Sequence, residues 1–399
     1  MECCICHREN PEKAKFCMYC GNKIVYTNAC KNRGSNSLPV ERLSCVDYED
    51  SLNKKSKEMT TIDFDRIGNF SEKSAVVVKN KKSGLIIIDD EYQIRLFLEC
   101  NYEHVLPFSE GRCAIQENGR WSFLDRSGQK VLKLDEKYDV SSDIGYICGL
   151  CKVLKADDDN NLHYGFIDKS GREVIQCKYD WVTDFDRQTN LAVVRIEEGE
   201  DGYQEEFLID KYGNQQSDKA YNVSLYDGVI VSDISRKEKL IKSIKTGKQI
   251  FLKNASIINV HNEVCSYIVD GKLVCFNISN PNVRKSFKGK VWMIDSSSDN
   301  RIGVELENPN INTKDGNAGY INTECTIAIP FSFRRVSCFN DGLAAVIPNG
   351  KDKWGFIDIN GNLIIDCVYD EYASFHDGFA SVVKKGKWTI IDRMGNELF

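Results

Sequence analysis

Cys3-x2-Cys6 and Cys17-x2-Cys20 are two CxxC pairs with ten residues between them. Each pair can bend into a knuckle that offers two thiolates to one metal ion, and four soft anionic ligands in a tetrahedron suit Zn²⁺. A four-cysteine shell leaves no open position for water or substrate, so Cys3, Cys6, Cys17 and Cys20 are expected to hold a structural Zn²⁺. A stretch this short cannot bury enough apolar surface to fold alone, and the metal would supply the folding free energy. The other reading of a CxxC pair, a redox dithiol, expects a βαβ context.

Residues Cys3, Cys6, Asn10-Pro11, Ala14-Lys15-Phe16-Cys17 and Cys20-Gly21 resemble the short zinc-ribbon family found at the head of many prokaryotic multidomain proteins. His7 departs from it, since the family usually has Gly after the second ligand, and Cys4 competes with Cys3. The resemblance implies a docking module. Arg8, Lys13, Lys15 and Lys23 would let it touch an acidic partner or nucleic acid, or would simply solvate a tiny domain.

The remaining chemistry-bearing residues form no such constellation. Cys148-x2-Cys151 is a lone pair in a strand-like run, where alternation buries one sulfur away from the other, so core packing is expected. The five histidines, His7, His104, His163, His261 and His376, show neither HxH nor HExxH spacing. No GxxxxGK[ST] phosphate cradle occurs. An enzyme is not expected.

Composition bounds the partners. The 399 residues are 42% hydrophobic and 28% charged, the profile of a globular chain. With 19 Phe, 17 Tyr and only 7 Pro, the balance favours strands. The net charge of −6 argues against a generic nucleic-acid binder, whose footprint is basic. Residues 1–60 carry +2, leaving −8 for the rest, so a mildly basic head precedes an acidic body. No apolar run is long enough to span a bilayer. MECCICHREN lacks the basic and apolar regions of a signal peptide, and seventeen cysteines then point to reduced thiols in a cytoplasm.

Residues 24–60 are polar and turn-rich without a helical or strand period, which reads as a flexible linker between the ribbon at 1–23 and a third segment at 61–399. Cys30 and Cys45 lie in it without pair spacing.

That third segment repeats itself. The cleanest copy has Phe339-x2-Gly342-Leu343-Ala344-Ala345-Val346, then Lys353-Trp354-Gly355-Phe356-Ile357-Asp358, then Gly361, Ile364-Ile365 and Tyr369-Asp370. Aligned on the Asp of Phe-Ile-Asp, copies anchor at Asp89, Asp125, Asp168, Asp210, Ile244, Asn277, Asn322, Asp358 and Asp392, at steps of 33 to 45 residues. The alternating runs are strands, and Asp-x-x-Gly is a turn in which Asp caps the backbone and Gly supplies positive φ. Each copy is a small antiparallel meander with one greasy face, so neighbours must stack. The pattern is similar to the WG-repeat family, over about 85% of the chain. That resemblance implies a β-repeat fold in a largely bacterial family and brings no catalytic residues.

The expected fold class is all-β. About eight or nine short meanders close into a β-propeller, with an open β-solenoid as the alternative, behind the small zinc ribbon. Phe64-Asp65-Arg66-Ile67 is a spare copy of the Tyr-Asp segment, and a strand from it completing the last copy would close the ring and remove two sheet edges. Recurrence in copy after copy marks the Asp and Trp as structural, the Asp holding turns and the Trp packing between sheets.

What varies is the hairpin between the Ala-x-Val and Trp-Gly strands, expanded at 156–161, 197–206 and 305–317. Equivalent positions share one face, and insertions gathered there mark a binding face. Asp157, Asp158, Asp159, Glu197, Glu198, Glu200 and Asp201 make it acidic, so a protein partner of basic character is expected. The function that follows is a non-catalytic protein-interaction scaffold or adaptor. The alternative is a nucleic-acid-associated or ligand-sensing regulator in which the ribbon touches nucleic acid and the array binds a regulator.

Overall fold

The computed structural model describes residues 57–58 and 63–398, apart from 144, 197–203, 262, 295–298 and 307–315. The ligand cysteines expected at Cys3, Cys6, Cys17 and Cys20, like most of the linker, lie outside the described residues. The described residues belong to one contact unit, 48–399, and contain strands and turns with no α-helix.

The strands fall into successive antiparallel meanders, one for each anchor read in the sequence, arranged as a β-propeller. In the third repeat Tyr138–Val140 and Tyr146–Ile147 pair with Leu150–Ala156, which pairs with Leu162–Asp168, which pairs with Glu173–Tyr179. The eighth repeat shows the same register, with Leu343 opposite Asp358 and Val346 opposite Gly355. Asn280–Ile294 and Ile327–Asn340 each run from the last strand of one repeat into the first of the next. They merge three meanders into one ten-stranded sheet. Lys57–Glu58, within the stretch read as linker, adds to Ile94–Tyr102 at the edge of the first repeat.

The anchors work as turn caps. The Asp168 carboxylate accepts the N–H groups of Ser170 at 2.9 Å and Arg172 at 3.1 Å, and Gly171 donates to the Asp168 carbonyl. Asn322 does the same with Glu324 and Thr326. In the fifth repeat the anchor is Ser243, one residue before the expected Ile244. There the turn is one residue longer, Gly247 donates to the Ser243 carbonyl, and the Ser243 hydroxyl accepts Thr246 N–H.

The Trp-Gly step has a steric cause. A Cβ on Gly355 would lie 2.6 Å from both the Cys367 sulfur and the Ile365 carbonyl, and one on Gly165 would lie 2.7 Å from the Cys177 sulfur. Beside the glycine, the last strand bulges inward and only hydrogen fits. Trp121 is buried among Tyr138, Tyr146 and Cys151 of the following repeat.

The ring closes, though not by the expected strand exchange. Residues 64–67 open the first repeat, where Arg66 and Ile67 pair with Val78 and Val77. Of the Tyr-Asp segments, Tyr138 opens the third repeat opposite Lys155, whereas Tyr179 and Tyr369 end the last strands of their own repeats, opposite Tyr164 and Trp354. Closure is a stacking of faces instead. Ile67 and Phe70 pack with Phe379, Trp388, Ile390 and Leu398, Phe70 and Phe379 lie 5.7 Å apart, and the Ser381 hydroxyl donates to the Gly68 carbonyl at 3.0 Å.

Candidate functional site

Most recurring carboxylates are engaged by backbone. Asp65 accepts Asn80 N–H at 2.7 Å, Glu103 accepts Gly119 N–H at 2.8 Å and Asp370 accepts Gly386 N–H at 3.2 Å, each capping a hairpin. At the tight turns on the opposite side, Glu72 accepts Gly111 N–H, Glu110 accepts Gly149 N–H, Asp299 accepts Gly342 N–H and Asp341 accepts Gly378 N–H. Each of these latches one repeat to the next. Reading Phe-x2-Gly with two free positions missed this acid, and the signal was the acid immediately before the turn glycine at Glu110-Gly111, Asp341-Gly342 and Asp377-Gly378.

The strands that flank the expanded segments read at 156–161, 197–206 and 305–317 are equivalent antiparallel pairs: Leu150–Ala156 with Leu162–Asp168, Leu191–Ile196 with Glu205–Asp210, and Ile302–Leu306 with Ala318–Ile321. Glu197, Glu198, Glu200 and Asp201 lie outside the described residues. In the first hairpin the Asp157 carboxylate accepts the N–H groups of Asp159 and Asn161 and sits 3.2 Å from His163 Nε2. The Asn161 N–H, chiefly, holds its carboxyl below the usual range. Asp157 therefore builds the turn, while Asp158 and Asp159 are exposed at its tip.

A chain of contacts runs from this hairpin to the next seam. His163 Nδ1 lies 3.3 Å from Asp180. The adjacent Trp181 is half-exposed beneath the Arg195 guanidinium, 5.1 Å from the ring centre, a cation–π arrangement. Arg195 in turn pairs with Glu206 at 2.6 Å, and the other Glu206 oxygen accepts Val223 N–H.

Val223 lines a cavity of about 270 Å³ between the fourth and fifth repeats. Trp181, Thr183, Asp184, Asp186, Leu191 and Val193 form one wall, and Val223, Ser224, Leu225 and Tyr226, all on Tyr221–Tyr226, form the other. Asp186 is committed to Thr189, accepting its N–H and hydroxyl. Asp184 faces Lys152 at 3.5 Å. Burial pushes the Asp184 carboxyl up, and Lys152 opposes that rise.

The cavity has a sequence cause. At regular seams an aromatic ring on the third strand meets one two residues before the next repeat's turn: Phe123 with Tyr146 at 5.0 Å, Phe166 with Phe185 at 4.8 Å, Tyr320 with Phe339 at 4.8 Å and Phe356 with Phe375 at 5.0 Å. By register, Val193 opposite Leu208 matches Ala345 opposite Phe356, and Leu225 opposite Ile230 matches Phe339 opposite Ala344. The ring pair is thus replaced by Leu208 and Leu225. Sequence reading missed this site because Leu208 and Leu225 are ordinary apolar residues at strand positions.

Cys148 sits in a tight turn with φ of 54°, outside any strand, and Cys151 is buried. Burial raises both thiols. Among the described residues no group of His, Cys, Asp and Glu is placed to share a metal ion.

Five segments, 52–82, 95–121, 164–199, 319–351 and 354–388, match the model of the WG containing repeat. No curated protein matches the chain. Among solved structures, a eukaryotic initiation factor is similar at 11% identity and TM-score 0.50, over 83% of this chain and 96% of that one, a likeness of fold alone. BamB from Moraxella catarrhalis matches at 10% identity and TM-score 0.35, over 84% of this chain and 98% of that one. The WD40 propeller domain of Doa1 matches at 11% identity and TM-score 0.29, over 62% of this chain and 93% of that one.

Proposed function

We propose, from the premise that this chain is a β-propeller carrying WG repeats, that it is a non-catalytic protein-interaction scaffold. The observation that carries the reading is one stretch of surface. The hairpin built by Asp157, with Asp158 and Asp159 exposed at its tip, meets Asp180 through His163, and from the adjacent Trp181 contacts run through Arg195 and Glu206 to the cavity at the next seam. Here the repeats depart from their own pattern, whereas the repeated Asp and Trp positions are consumed in turns and seams. Residues that vary within a repeated frame are free to specialise for a ligand.

The partner is a protein of basic character, drawn by the acidic hairpins. The N-terminal four-cysteine segment is a structural zinc ribbon holding a second contact, tethered by residues 24–60. A cytoplasmic setting fits the seventeen cysteines of the sequence, read as reduced thiols.

Charge reversal tests the reading. Asp158→Lys and Asp159→Lys, combined with Glu197→Lys, Glu198→Lys, Glu200→Lys and Asp201→Lys, should abolish partner capture in a pull-down while leaving the fold intact by circular dichroism. Undiminished capture would count against the acidic face.

A further inference from the structure

We propose that the cavity between the fourth and fifth repeats is a binding site for a basic side chain, arginine or lysine, presented by a protein partner. The proposal rests on the scaffold reading and names which part of the partner is gripped.

Three observations carry it. The space is lined by Leu225, which stands at the register position where regular seams place a ring such as Phe185 or Phe375. Its walls are apolar where Trp181, Leu191, Val193 and Leu225 face it. Methylene stems of long basic side chains pack on such surfaces while the charged head seeks a polar end. Asp184 supplies that end.

Charge complementarity fixes the sign of the occupant. The cations nearby are already held, Lys152 against Asp184 at 3.5 Å and Arg195 against Glu206 at 2.6 Å. The charged residues that line the space are both carboxylates, Asp184 and Asp186. An anion entering here would meet like charge in a half-buried setting, where screening is weak. A cation would instead offset the desolvation that pushes the Asp184 carboxyl up.

The test uses the full chain and two small probes, N-acetyl-L-argininamide and its neutral isostere N-acetyl-L-citrullinamide, with methyl NMR of Leu191, Val193, Val223 and Leu225. Saturable shifts with the arginine probe are expected, with at least about tenfold weaker binding of the citrulline probe. Leu225→Phe restores the ring found at other seams, keeps the fold and should abolish the shifts. Equal response to both probes, no response at these methyls, or full response in Leu225→Phe would each overturn the proposal. Partner capture separates the two levels. Capture that persists in Leu225→Phe refutes the cavity's role and leaves the scaffold standing, whereas the NMR result stands or falls without any natural partner.

Discussion

The Asp377 carboxylate accepts the backbone N–H of Lys73 at 3.1 Å, although 304 residues separate them in the chain. It is the same latch that joins Asp341 to Gly378 within the array, here made between the last repeat and the first. The seam carries no exchanged strand, so its strength lies in this bond, the Ser381 contacts and the Phe70–Phe379 packing.

Those contributions differ in size. Asp377→Ala removes one exposed hydrogen bond and should cost about 1 kcal/mol. Phe70→Ala empties a buried site and should cost about 3–5 kcal/mol. Both should speed amide exchange in residues 67–71 and 379–383 ahead of other seams. Uniform exchange around the ring in Phe70→Ala would show that this seam is not the point of closure.

Gly355→Ala should destabilise by about 1–3 kcal/mol in urea unfolding, the usual cost of forcing atoms into a packed site. Adding Cys367→Ala should recover only part of the loss, because the Ile365 carbonyl, a backbone atom, is equally close. Full recovery would mean that the sulfur alone excludes a side chain there.

The turn anchors predict the acid limit of stability. The Ser170 hydroxyl, above all, holds the Asp168 carboxyl below its ordinary 3.8. A carboxyl lowered by folding stabilises the native state above its unfolded value, and that stabilisation is lost as pH falls through the lower folded value. Asp168→Asn, the arrangement already present at Asn322, should keep the turn and flatten the fall of Tm below about pH 4. An unchanged slope would remove Asp168 from the acid transition.

The thiols predict the alkaline side. Burial pushes Cys177 up to about 12 and raises Cys113, Cys151 and Cys265 further. Only the thiolate reacts readily. Iodoacetamide at about pH 8 should therefore spare these four in the native protein and label them after denaturation. Groups raised by folding stabilise fully below their unfolded value of 9.0, so stability should decline as pH climbs above it. Native labelling of Cys177 would contradict its burial.

Much of the frame was legible because each repeat is locally self-sufficient. Asp168, its hydroxyl neighbour and Gly171 make a turn that four residues determine. The strand runs followed from alternation, and their number from the anchors. What escaped depended on partners distant in sequence. Glu110 matters only because Gly149 comes to lie beside it, and the segment from Phe64 to Ile67 looked like a spare strand only while the pairing of Arg66 and Ile67 with Val78 and Val77 was invisible. Leu208 and Leu225 look unremarkable singly. Their absence of rings has meaning only once the seam brings the two positions together.

The scaffold claim is tested most directly by affinity purification from the source cells with mass spectrometry. The bait would be the full chain beside its form with Asp158, Asp159, Glu197, Glu198, Glu200 and Asp201 reversed to lysine. A reproducible protein partner with a basic contact segment is expected, retained by the native chain and lost from the reversed one. A chain that retains no protein above background, or a reversed chain that retains the same partners, would contradict the scaffold claim.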